Sequence, residues 1–166
     1  MIGFAEWLGV LVAPWSDLYS SSAPLETTVV FLHIGGMMAA GGLAFTLDRA
    51  VFRSARHGWP HRADLARDLH QSHRAVLLGL AVVVLSGVAL TAADPTVFLE
   101  SWIYWAKMGA VVVLLANGWF LKRAGDELLA APEDQGAFRR LKASAVRSAG
   151  LWGLAVLGGV AITIYA

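Results

Sequence analysis

The chain contains no cysteine. That excludes disulfides, iron-sulfur clusters and thiolate zinc sites, and leaves His, Met, carboxylate or Lys as the groups able to hold a metal. No Lys or Arg occurs before Arg49, so the basic start of a secretory signal peptide is missing and the N-terminus is expected to be retained. Charge is scarce as well: 15% of the residues are charged against 57% hydrophobic, with a mean hydropathy of +0.60, which is too apolar for a typical soluble domain. A formal net charge of +1 offers nucleic acid no electrostatic footing. No glycine-rich phosphate loop, G-x-S-x-G elbow or H-E-x-x-H motif is present, so hydrolase and nucleotide-driven pump readings have no support.

What the chain does have is four apolar stretches long enough to span hydrocarbon, near Thr27 to Thr46, Ala75 to Ala93, Trp102 to Leu121 and Ser148 to Ala166. The expected fold is all-α: a polytopic membrane protein built as a four-transmembrane-helix antiparallel bundle over residues 25–166, preceded by a short amphipathic interfacial segment over residues 1–24. In that segment Phe4, Trp7, Leu8, Leu11, Val12 and Trp15 recur at helical spacing, and Pro14 is expected to end or kink the helix. Four spans are few for a lone transporter.

Twelve of the 13 Lys and Arg residues fall in two connections, Asp48 to Arg74 and Lys122 to Arg147. The opposite face carries Glu6, Asp17, Glu26, Asp94 and Glu100 and no cation. The positive-inside rule then puts both long basic loops in the cytoplasm and both termini outside, in a bacterial-type inner (plasma) membrane. Trp102, Tyr104 and Trp105 suit the outer aromatic belt, Trp119 the inner one, and Tyr165 lies near the outer surface. Gly58, Trp59 and Pro60 break the first loop, after which Ala63 to Arg74 has helical character, with Asp64 and Asp68 on one face. In the second loop, Ala131 to Asp134 reads as a turn followed by a helix start.

The remaining cation, Lys107, lies inside the third span and is no topology signal. His33 is six residues inside the first span, roughly 9 Å deep, and Lys107 five residues inside the third, roughly 8 Å deep at the helical rise. The two spans run in the same direction, so the only intramembrane histidine and the only intramembrane cation sit at matching depth in the outer third. Such residues face a bundle interior or cavity, where the pair can converge on one ligand. Gly36 and Met37 follow His33 at i+3 and i+4 on the same helical face.

Two chemistries fit. Haem b takes a His, Met or Lys axial ligand and an apolar slot, with His33, Lys107 and Gly36 as the binding set. Copper(I) takes soft or imidazole donors, for which His33, Met37, Met38 and Met108 are available. A cofactor-free reading stands beside them: Gly35, Gly36, Ala39, Ala40, Gly41 and Gly42 form a small-residue packing surface, His33 makes an interhelical hydrogen bond, and Lys107 snorkels to Glu100 or a lipid phosphate. Gly158 and Gly159, with Ala155, make the same close-packing argument, while Ser86 and Asn117 are expected to bond another helix or a backbone carbonyl. His57, His61, His70 and His73 cluster in the first basic connection, where they either hold a transition metal or help to gather anionic lipid headgroups.

Three segments carry a resemblance: "HIGGMMAAGGLAF" from His33, "SGVALTAADPTVFLESWIYWAKMGAVVVLLANGWFLKR" from Ser86 to Arg123, and "FRRLKASAVRSAGLWGLAVLGG" from Phe138. Over Leu25 to Ala166 the chain resembles the copper resistance D (CopD) type of four-helix membrane protein, the broad group that also takes in the HemJ-type protoporphyrinogen oxidases. The resemblance implies that the first-helix histidine, His33, and the third-helix lysine, Lys107, are the functional pair associated with haem b. The tryptophan that often precedes the Gly-Gly in the copper-linked branch is absent, and the oxidase activity is not carried over. The expected role is membrane electron transfer or haem-linked oxidation. The alternatives are copper binding or passage, and a cofactor-free accessory subunit of a larger membrane complex. The expected partners are the lipid bilayer and either further copies of the chain or that larger complex.

Overall fold

A computed structural model describes residues 3–57 and 60–165, without the side chains of 55–57 and 60–63. Six helices follow one another among the described residues: α1 (Phe4–Ser21), α2 (Ala23–His57), α3 (Pro60–Ala93), α4 (Pro95–Leu99), α5 (Trp102–Ala130) and α6 (Gln135–Tyr165). No strand is present among these residues. The chain is an all-α bundle in which α2, α3, α5 and α6 are each long and apolar enough to cross a membrane. Their outward faces carry Phe31, Phe45, Leu78, Leu85, Val112, Leu157 and Ile164 in the open. So continuous an apolar surface is stable against acyl chains and not against water, and the protein is a multi-pass membrane protein.

The four long helices pack as a ring in the order α2, α3, α5, α6, closed by α2 against α6, so α2 and α5 face each other diagonally. Close approach is written into the α2–α3 seam. A Cβ at Gly79 would lie 2.9 Å from Ala40 Cβ, and one at Gly36 would lie 3.0 Å from a Val83 methyl and 3.2 Å from one of Val82. These small residues let two backbones meet where hydrophobic driving force between helices is weak.

Two expectations are corrected and one is borne out. Helix α1 runs through Pro14 to Ser21, held by contacts of its far half: the Trp15 indole N–H donates to Ala89 O at 2.9 Å, and the Ser16 hydroxyl to Ala93 O at 2.7 Å. Both acceptors lie near the C-terminal end of α3, and Ala93 O is one of the four last carbonyls, which lack intrahelical donors. The basic connections are not long loops, because α2, α3, α5 and α6 all extend well past the hydrocarbon-length spans. Residues 131–134 alone separate α5 from α6, and only 58 and 59, which lie outside the described residues, separate α2 from α3. The helical character of Ala63 to Arg74 is continuous with the second span within α3, which begins at Pro60.

Those extensions hold the packed core. Val51, Leu65, Ala66, Leu69, Ala124, Leu128, Ala137, Phe138, Leu141 and Ala145 form one buried cluster at the basic end. Asp134 starts α6 as expected of that turn, accepting from the N–H groups of Gly136 at 2.7 Å and Ala137 at 3.2 Å. Asp94 does the same for α4, accepting from Val97 N–H at 3.2 Å with Pro95 in the first helical position. The bundle is therefore tight at its basic end and looser toward the end covered by α1 and α4.

Candidate functional site

The looser end contains a cavity of about 350 Å³ enclosed by α2, α3, α5 and α6 and partly covered by Leu8 and Val12 of α1. His33 enters it from α2 and Lys107 from the diagonal helix α5, so the residues matched by depth in the sequence line one space. Met37 and Met108 line it as well, and the rest of the wall is mostly aliphatic and aromatic.

The orientation of His33 is set by α3. Its Nδ1 lies 3.1 Å from the Val83 carbonyl oxygen and 3.0 Å from Ser86 Oγ. A carbonyl only accepts, and the Ser86 hydroxyl is already donating to Val82 O at 2.6 Å. Nδ1 therefore carries the hydrogen, and in the neutral imidazole Nε2 keeps its lone pair. Nε2 has no hydrogen-bond partner among the described residues. Imidazoles that bind metals are commonly held in this way, with the second ring nitrogen tied to a backbone carbonyl. Gly87 makes the fit close, since a Cβ there would lie 3.2 Å from His33 Cε1.

Lys107 is accommodated by α6. A Cβ at Gly158 would lie 3.1 Å from Lys107 Cβ, and one at Gly159 3.5 Å from Nζ. The glycine pair read from the sequence as general packing is thus the bed of the lysine side chain. Its ammonium meets no carboxylate and no hydrogen-bond acceptor among the described residues, and none of the residues lining the cavity is acidic. A half-buried cation with an apolar surround and no protein counter-ion calls for an anionic group from elsewhere.

The other sequence candidates separate. Gly36 is buried against Val82, Val83 and Gly79 of α3 and does not line the cavity, so it serves helix contact. Met38 is 72% exposed on the outward face of α2, away from His33 and Met37. Asn117 donates from Nδ2 to Ser144 O at 2.9 Å, and Ser86 bonds both a backbone carbonyl and His33, so both polar residues make the interhelical contacts expected of them. His70 Nδ1 is 3.4 Å from Asp126 Oδ1 at the basic end, and His73 lines a cavity nearby. The side chains of His57 and His61 lie outside the described residues. No group of three His, Asp or Glu side chains suited to a metal ion occurs among the described residues.

Comparison with protein-family models, with curated proteins and with solved structures finds no match. The functional reading rests on the geometry of the cavity.

Sequence reasoning passed over Asp48, counting it as the first residue of a loop. It is 2% exposed, inside the bundle on α2. The available signal was the helical register: Asp48 follows the apolar run of the first span within two residues of Thr46, too soon for the chain to have left the bundle.

Proposed function

We propose that this protein binds an apolar-bodied, acid-bearing redox cofactor in the cavity between α2 and α5, with haem b as the group that fits the residues best. The carrying observation is the fixed tautomer of His33, whose free Nε2 belongs to the same cavity as an unpartnered ammonium. His33 would be the axial ligand and Lys107 the partner of a propionate; Val83 and Ser86 orient the imidazole. The volume of about 350 Å³ falls in the range of cofactor and small-molecule sites. When bound, haem supplies one-electron chemistry. The chain's own residues hold it, orient it and keep water from it. The family resemblance carried by His33 and Lys107 supports the same reading, as does the positive-inside rule for an orientation with the basic end in the cytoplasm of a bacterial-type inner membrane.

Copper(I) is the second reading, favoured by one observation: Met37 and Met108 line the cavity together with His33. With Met38 on the outward face, the soft donor set is these three. A cofactor-free accessory subunit is the third outcome of the same test.

The experiment is a reduced-minus-oxidised absorption spectrum of the full chain, made with ample haem and purified in mild detergent, with metal analysis of the same sample. Soret and α bands that disappear in His33→Ala are expected. Stoichiometric copper that falls in Met37→Leu and Met108→Leu, with no haem bands, would replace haem by copper. An empty spectrum, no copper and a co-purifying membrane protein would replace both by the accessory role.

A further inference from the structure

Two more cavities lie between the first and the basic end. The middle one, of about 240 Å³, shares Leu80, Leu114, Leu115 and Trp152 with the His33 cavity, so the wall common to the two is apolar. Toward the basic end it shares Leu69, His73, Leu121 and Lys122 with a smaller space of about 190 Å³ bordered by His70, Arg74 and Asp126. His70 is exposed and Asp126 half-buried, so the chain of cavities has its wet mouth there.

Asp48 lines the middle cavity together with Asn117 and Ser148, which are 4% and 6% exposed. Asp48 Oδ2 and Asn117 Oδ1 are both buried with no hydrogen-bond partner. The Asn117 amide cannot turn to help, because its nitrogen is held by Ser144 O. Two orphaned acceptors cannot satisfy each other, and each costs free energy while it stays unpaired. A hydrogen on the carboxyl removes the conflict: the acid form carries an O–H donor, able to reach an acceptor directly or through one water.

The small set of oxygen ligands favours a proton over a metal cation. Among the described residues the titratable groups facing the cavity are His73 from α3 and Lys122 from α5; α6 contributes the neutral Ser148, whose hydroxyl bonds the Asp48 carboxyl, and Arg49 and Arg53 of α2 itself are exposed. Lys122 is paired with Asp126, and Asp48 has no ion pair among the described residues. A sodium ion would need several oxygen ligands, whereas a proton needs one.

We propose that Asp48 is an internal proton-binding site, neutral at rest, that exchanges its proton with the basic side through the mouth lined by His73. On loading, an O–H bond of a water chain or the N–H bond of a His73 imidazolium breaks and an O–H bond forms at Asp48. The donor then regains its proton from bulk water at the mouth, and no electrons change hands. Toward His33 the shared wall of Leu80, Leu114, Leu115 and Trp152 offers no titratable group to carry the proton on, whereas His73 does so toward the basic end, so the store opens to that side. The inference stands whether or not a cofactor occupies the other cavity.

The test is infrared difference spectroscopy of the full chain in lipid nanodiscs, in H2O and D2O, with thermal melts in sodium and in choline chloride of equal strength. A carboxylic C=O band near neutral pH is expected, moving to lower frequency in D2O. It should be lost in Asp48→Asn, displaced in Asp48→Glu, and should exchange several-fold more slowly in His73→Phe. Any one of four results overturns the proposal: no such band in the wild type, a band unchanged by both Asp48 variants, a band that does not respond to D2O, or sodium-specific stabilisation that vanishes in Asp48→Asn. The last would make the site a cation site.

Discussion

Gly79→Ala tests the geometry that holds His33. The added methyl would sit 2.9 Å from Ala40 Cβ and 3.3 Å from Ala40 Cα and N. Two of those three atoms are backbone, so no rotamer change relieves the contact. Bringing carbons to the ordinary separation of about 3.5–4.0 Å requires α2 and α3 to part by roughly half an ångström or more. Val83 is one helical turn along α3 from Gly79, and its carbonyl is 3.1 Å from His33 Nδ1. The same parting would take that bond beyond hydrogen-bond length. Overpacking of this kind costs about 1–3 kcal/mol, while replacing a helical glycine by alanine returns up to about 1 kcal/mol. The single variant alone is therefore a blunt measure, and the decisive quantity is the coupling with Ala40→Gly, which removes the nearest of the three contacts and leaves the two at 3.3 Å. Equilibrium unfolding in mixed micelles should give a coupling of about 1–3 kcal/mol between the two sites. The nitrogen shifts of His33 should report a loosened Nδ1–H in Gly79→Ala and its return in the double variant. Gly42→Ala, where a methyl meets nothing within 4 Å, serves as the control and should not destabilise. Additivity of the pair within about 0.5 kcal/mol would refute the claim that this seam sets the imidazole.

Other outcomes follow from the same coordinates. Leu141, fully buried in the basic-end core, should lose about 2–5 kcal/mol on truncation to Ala, whereas Leu157→Ala on the outward face should change stability in micelles by about 0.5 kcal/mol or less. The N–H groups of Ala137 and Gly136, together with nearby Arg140 and Arg139, hold the Asp134 carboxyl below its ordinary range. The stabilisation of the α6 start is thus fully present above the usual carboxylate pKa and is lost as pH falls through the depressed folded value. A melting-midpoint profile that loses part of its acid slope in Asp134→Ala checks the sign.

Much of the membrane architecture was legible in the linear pattern. Apolar runs of bilayer length with charges confined between them leave a chain few choices, because every backbone polar group in hydrocarbon must be paired within a helix. The matching depth of His33 and Lys107 was legible for a related reason: a helix has a fixed rise, so counting residues from two span boundaries measures depth. Helix ends were read less well. Pro14 did not stop α1, since tertiary bonds from Trp15 and Ser16 hold its second half against α3. The basic connections proved helical because the apolar side chains within them pack on one another as a buried core.

By itself, then, the sequence determined the helical class, the number of spans and the level at which an imidazole and an ammonium enter the bundle. Only the tertiary structure decided which neighbours they meet. It separated Gly36, a helix contact, from Gly158 and Gly159, the bed of Lys107. It turned His33 so that Nε2 stays free, sent Met38 to the outward face, and buried Asp48 beside Asn117 and Ser148. The reason is that periodicity along one helix places a residue at a height and on a face. What lies across from it depends on how four helices are rotated and spaced, and that is set by contacts between residues far apart in the chain.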